Sequence, residues 1–112
     1  MAKIFTREEL KIIIDNYLSK LKNKVVIDQV ILFGSYAKGV ANKWSDIDLL
    51  IISKDLSEKT PKGKNGFYLD NMVGMFEPSL EVLGINPKKL NDPIEKGFFD
   101  EIQQTGITVN DL

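Results

Sequence analysis

The sequence predicts a small α/β (α+β) domain, a mixed β-sheet with helices on its faces. Two stretches open with helix-start signals and continue with apolar residues at helical spacing. Three short runs of β-branched and apolar residues lie between them. Their order, helix, strand, turn, strand, loop, strand, helix, suits one sheet layered with helices. The chain has 112 residues, of which 43% are hydrophobic, so one core fits and a second domain of equal size does not. Residues 1–112 are read as a single domain.

The first helix starts at Thr6. Thr6 and Glu9 have the spacing of a capping box, and Phe5 and Leu10 that of a hydrophobic staple. Leu10, Ile13, Ile14, Tyr17, Leu18 and Leu21 then form one apolar face. Val25–Phe33 (VVIDQVILF) reads as a strand stopped by Gly34. Ser35–Lys38 is a short helical turn with Ser35 as its N-cap, and Gly39–Ser45 is loop. Asp46–Ser53 (DIDLLIIS) is the second strand. Lys54–Lys64 carries Pro61 and Gly63 and reads as a surface loop. Asn65–Phe76 reads as a short helix with Met72, Val73 and Phe76 inward. Ser79–Leu83 is the third strand, broken by Asn86-Pro87. In the second long helix Asp92 is the cap, Pro93 the first residue and Glu95 the partner in a capping box. Ile94, Phe98 and Ile102 share its apolar face, and Gly106 ends it in a left-handed conformation. Ile107–Val109 is a short final strand.

Composition narrows the chemistry. There is no cysteine and no histidine, which excludes disulfides, thiolate and imidazole metal sites and Cys nucleophiles. A general base near neutral pH must then be a carboxylate or a perturbed Lys. Any metal ligands are oxygens, which suit Mg²⁺ or Mn²⁺. Residues 1–64 carry 12 basic and 8 acidic side chains, whereas residues 65–112 carry 3 and 8. The basic half favours an anionic ligand, although a solvated lysine-rich surface would look the same. Met1–Leu10 has no apolar signal core and no run reaches membrane-spanning length, so a cytoplasmic protein without membrane contact is expected.

The chemistry concentrates in FGSYAKGVANKWSDIDLLII, Phe33 to Ile52. Side chains two apart on a strand share a face, so Asp46 and Asp48 stand together while Ile47, Leu49 and Ile51 face the other way. Two negative charges about 6 Å apart repel by about 0.7 kcal/mol in water and by about 3 kcal/mol at an effective dielectric of 20. Either both acids face bulk solvent at a frayed strand end, or a divalent cation reverses the sign of that energy. Gly34, without a Cβ, lets another group approach closely. Ser35 offers a hydroxyl and an N–H at the start of a helical turn, where phosphate binds well. Lys38 adds a positive charge one turn on. Trp44 is a rim or core aromatic, or a face for a nucleobase.

Gly34-Ser35, ten residues, Asp46-Ile47-Asp48 resembles the signature of the DNA polymerase beta-like nucleotidyltransferase superfamily. GSYAKGVANKWSDIDLLI is most similar to its minimal nucleotidyltransferases. That resemblance implies the nucleotidyltransferase fold and a Mg²⁺-dependent enzyme using two ions, with Mn²⁺ as an alternative. It would transfer a nucleoside monophosphate, AMP from ATP, to a hydroxyl. Gly34, Ser35 and Lys38 would bind the nucleotide, and Asp46 and Asp48 the metal. A third carboxylate on a neighbouring strand is implied as a metal ligand or proton acceptor. Glu81 matches it best, although the family more often has Asp there; Glu77 is a rival. The resemblance further implies a small helical HEPN-domain partner in a toxin–antitoxin system. This chain would be the antitoxin, adding AMP to a partner tyrosine. Direct nucleic-acid binding is not expected. The alternative is a non-catalytic module that neutralises its partner by binding alone.

Overall fold

The computed structural model describes residues 3–56, 67–68 and 80–112. Helix α1 is Arg7–Leu21, strand β1 Gln29–Phe33, the one-turn helix α2 Gly34–Lys38 and strand β2 Ile47–Ile52. Strands β3, Phe67–Tyr68, and β4, Leu80–Ile85, follow; a 3₁₀ turn, Pro87–Asn91, leads to helix α3, Lys96–Thr105, and strand β5, Ile107–Thr108. The sheet runs β3-β4-β2-β1-β5. Strands β2 and β4 are parallel, and the other neighbours are antiparallel.

Helix α1 begins where its cap residues place it. Thr6 Oγ1 accepts from the Glu9 N–H at 3.1 Å, and Glu9 Oε1 accepts from the Thr6 N–H at 2.9 Å. Such a cap is worth about 0.5–2 kcal/mol. Its apolar stripe, Leu10, Ile14, Tyr17 and Leu21, packs with Val30, Leu32, Leu49, Ile51 and Val82 on one sheet face. Phe99 and Ile102 of α3 cover Ile31, Leu50, Ile52, Leu83 and Ile85 on the other. Strand alternation therefore gives each helix its own face of the sheet. None of the described helices is long and apolar enough to cross a membrane.

Several expectations need correction. The first strand begins at Gln29, not Val25. The Val26 N–H is taken by Asp55 Oδ2 at 2.7 Å, so a side chain replaces the ladder there. The second and third strands are Ile47–Ile52 and Leu80–Ile85; Ser79, the expected start of the third, lies outside the described residues. Most of the expected 54–64 loop and 65–76 helix, including Met72, Val73 and Phe76, also lies outside them. Phe67–Tyr68, inside that expected helix, is a strand pairing with Gly84 and Leu83. An open edge of β4 outweighs a weak local helix preference.

Helix α3 starts at Lys96, later than the capping signal suggests. Asp92 Oδ1 does accept from the Ile94 N–H at 2.8 Å, but this closes a turn ahead of the helix. Glu95 forms no capping box: it is buried, and among the described residues its Oε1 has no hydrogen-bond partner. Ile94 is 57% exposed, and Phe99 occupies the core instead. Gly106 is extended, at φ −78° and ψ 167°, not left-handed. Glycine is required there for space, since a Cβ would lie 2.5 Å from the Ile102 carbonyl oxygen and from Ile31 Cγ2.

Replacing Phe99 by Ala should cost about 3–5 kcal/mol, a large aromatic lost from a closed core. Ile94→Ala should change stability by less than about 0.5 kcal/mol. Urea unfolding of both variants checks the assignment, and equal losses would contradict it.

Candidate functional site

The acids meet at one end of the parallel pair. Asp48 of β2 is the direct register partner of Glu81 of β4. Neighbouring strands lie about 4.8 Å apart, so the two side chains leave the sheet side by side. Both share the α3 face with Leu50, Ile52, Leu83 and Ile85 by strand alternation. Asp46 lies just before β2 and is exposed, whereas Asp48 and Glu81 are half-buried.

Proximity has a measurable consequence. The Asp48 carboxyl is pushed up from 3.8 to about 7. Burial is the largest cause, followed by a hydrogen bond to Glu81, its charge, and the charge of Asp46. Near neutrality Asp48 is thus only partly ionised, and it is hydrogen-bonded to Glu81. All the donors are carboxylate oxygens, the chemistry that fits a hard divalent cation. Among the described residues no three acidic side chains form a ready-made metal cage. Asp48 and Glu81 are the pair already joined, with Asp46 at their edge.

Gly34 fixes the other wall. It ends β1 with φ +75°, a backbone that other residues adopt only at a cost. A Cβ there would run into Asp48 Oδ2, with Asp48 Cγ only 3.1 Å away. The group that needs room beside Gly34 is therefore Asp48 itself. Phe33, opposite Asp48 in the ladder, precedes α2 as its cap and offers no side-chain hydrogen bond. Ser35 is thus not the N-cap expected of it. It lies inside the first turn, and its carbonyl accepts from the Val40 N–H at 3.0 Å. The first N–H groups of a helical turn lack partners within it, and here they abut the acids.

Two tethers orient α2. The Tyr36 hydroxyl accepts from the Phe5 N–H at 3.2 Å, and the two rings lie 6.4 Å apart. Lys38 Nζ stands 3.3 Å from Glu101 Oε1 of α3, a partner 63 residues away that no local pattern announces. Both groups are exposed, so the pair is worth about 0–1 kcal/mol and opens readily for a stronger anion. A cleft of about 220 Å³ lies beside α2, lined by Ile4, Phe5, Tyr36, Ala41 and Leu112 among others. Its lining mixes polar and apolar groups, Arg7 among them, and does not include the acids. Trp44 is a rim residue, 75% exposed. Glu77 lies outside the described residues.

Comparison with known proteins follows the same residues. A family model described as a nucleotidyltransferase domain matches residues 14–108. The Methanocaldococcus jannaschii protein named "Putative protein adenylyltransferase MJ0141" is 34% identical over 89 residues, 80% of this chain and 83% of that protein. The likewise named MJ1379 protein of the same organism is 29% identical over 101 residues, 86% of this chain and 93% of its own length. The likewise named MJ1305 protein, again of that organism, is 49% identical over 49 residues, 42% of this chain. The match spans only 33% of the MJ1305 protein's own length.

Gly34→Ala should lose about 1–3 kcal/mol of stability through strain alone and should displace the Asp48 carboxylate. Urea unfolding reads the first effect and a crystal structure the second. The raised Asp48 pKa sets a pH dependence. Between 3.8 and about 7 the folded chain holds a proton that the unfolded chain has released. Stability from this group is therefore fully present below 3.8 and lost as pH rises through about 7. In metal-free buffer the melting temperature of Asp48→Asn should gain on the wild type across that window and level off above it. Parallel curves would contradict the raised Asp48 pKa.

Proposed function

Because this chain belongs to the nucleotidyltransferase domain family, we propose that it transfers AMP from ATP to a protein hydroxyl and releases pyrophosphate. The acceptor is a tyrosine of a small helical HEPN-domain protein, and the transfer silences that partner as an antitoxin would. The reading treats residues 1–112 as one nucleotidyltransferase domain. The observation that carries it is the contact of Asp48 with both Gly34 and Glu81. It sets the start of α2, suited to an anion, against paired carboxylates suited to a divalent cation.

The residues divide the work. Backbone N–H groups of Gly34 and Ser35 hold the β- and γ-phosphates, and Lys38 leaves Glu101 to join them. Asp46, Asp48 and Glu81 would hold Mg²⁺, which when bound lowers the charge on the triphosphate and polarises its oxygens. The acceptor oxygen forms a bond to the α-phosphorus as the bond to the β-phosphate oxygen breaks. Pyrophosphate leaves with that electron pair. The hydroxyl proton passes to a carboxylate, since no histidine exists to take it. Glu81 takes this role, a reading supported by its register beside Asp48.

One observation favours a second reading. The lack of a ready-made three-carboxylate cage among the described residues suits a module that binds its partner without catalysis. Asp46→Asn with Asp48→Asn separates the two. Pyrophosphate release from Mg²⁺-ATP, measured with the HEPN partner present, should fall at least about a hundredfold while the melting temperature stays up. Full activity in the double variant overturns the site. Partner silencing that survives in it favours the binding module.

A further inference from the structure

We propose that Trp44 is the platform on which the nucleobase of the donor stacks. The inference rests on the nucleotide reading above and adds the residue that grips the base. Trp44 is 75% exposed, with Val40 of the same loop 68% exposed. Its indole therefore presents a large aromatic face open to a flat ligand.

The loop is built to hold that ring. The Asn42 N–H donates to Ser45 Oγ at 2.8 Å, and the Trp44 N–H donates to Asn42 Oδ1 at 2.8 Å. The Ser45 N–H donates to the Asn42 carbonyl at 3.0 Å. Three hydrogen bonds within four residues fix the backbone that carries the indole, so less freedom is lost on binding. Lys43 Nζ lies 5.3 Å from the ring centroid, which leaves the opposite π-face for a second flat group.

Position favours the base over the acceptor. Trp44 stands two residues before Asp46, within about 7 Å along an extended chain. In-line displacement puts the leaving pyrophosphate and the entering oxygen on opposite sides of the α-phosphorus. With the phosphate tail at Gly34 and Ser35, the acceptor enters from the Glu81 side. The loop carrying Trp44 arises on the α2 side, where the donor lies. Stacking on an indole tolerates any base, so this contact supplies grip more than base choice.

Trp44 is the chain's single tryptophan, so its fluorescence reports on this position alone. Calorimetry and fluorescence with Mg²⁺-ATP and with Mg²⁺-tripolyphosphate test the proposal. Both ligands should bind, but only ATP should quench the indole. Trp44→Ala, at an exposed position, should weaken ATP roughly tenfold, the size of one base-on-aromatic contact, and leave tripolyphosphate unchanged. Bound ATP with silent fluorescence, or unchanged ATP affinity in Trp44→Ala, overturns this inference and leaves the nucleotide reading intact. Loss of partner binding alone in that variant reassigns the ring to the acceptor and overturns it too. A chain that binds neither ligand overturns both readings.

Discussion

Parallel pairing of β2 with β4 forces two like-charged side chains together, and the site is organised around that conflict. The register admits no escape: Asp48 stands beside Glu81 because Leu50 and Ile52 must stand beside Leu83 and Ile85 under α3. A slip of one residue would move every apolar side chain to the wrong face. The core thus holds the acids in a position they would not choose for themselves. In the bare chain the Asp48 carboxyl answers by holding its proton up to about pH 7.

The remaining elements frame that pair. Gly34 gives Asp48 its room, and α2 follows at once because β1 ends there. Segments distant in sequence converge on this one turn. The residues ahead of α1 reach it through Tyr36, and α3 reaches it through Lys38. A turn of five residues has little stability of its own, so these outside contacts hold it.

Local chemistry was legible in the sequence, and pairing was not. The Thr6–Glu9 box, the stop at Gly34 and the short helical turn all follow from residues within a few positions of one another. The strand around Glu81 follows in the same way. What the sequence could not reveal was that β4 runs parallel beside β2, which turns Glu81 from a plausible third acid into the register partner of Asp48. Phe67–Tyr68 carries two strand-favouring aromatics, too short a run to announce a strand without the pairing that β4 supplies. At Asp92–Glu95 the capping pattern predicts a helix start, whereas the structure closes only a turn there and the helix begins at Lys96. The Lys38–Glu101 pair spans a separation that no periodicity encodes.

The two faces of the sheet divide their duties. Asp48 and Glu81 lie on the α3 face, while α1 packs across the opposite face. The outer side of α1, with Lys11, Ile12 and Asp15, therefore serves as a handle. A tether, a dye or a second protein fastened along that ridge would grip the molecule from behind and leave Asp48 and Glu81 open.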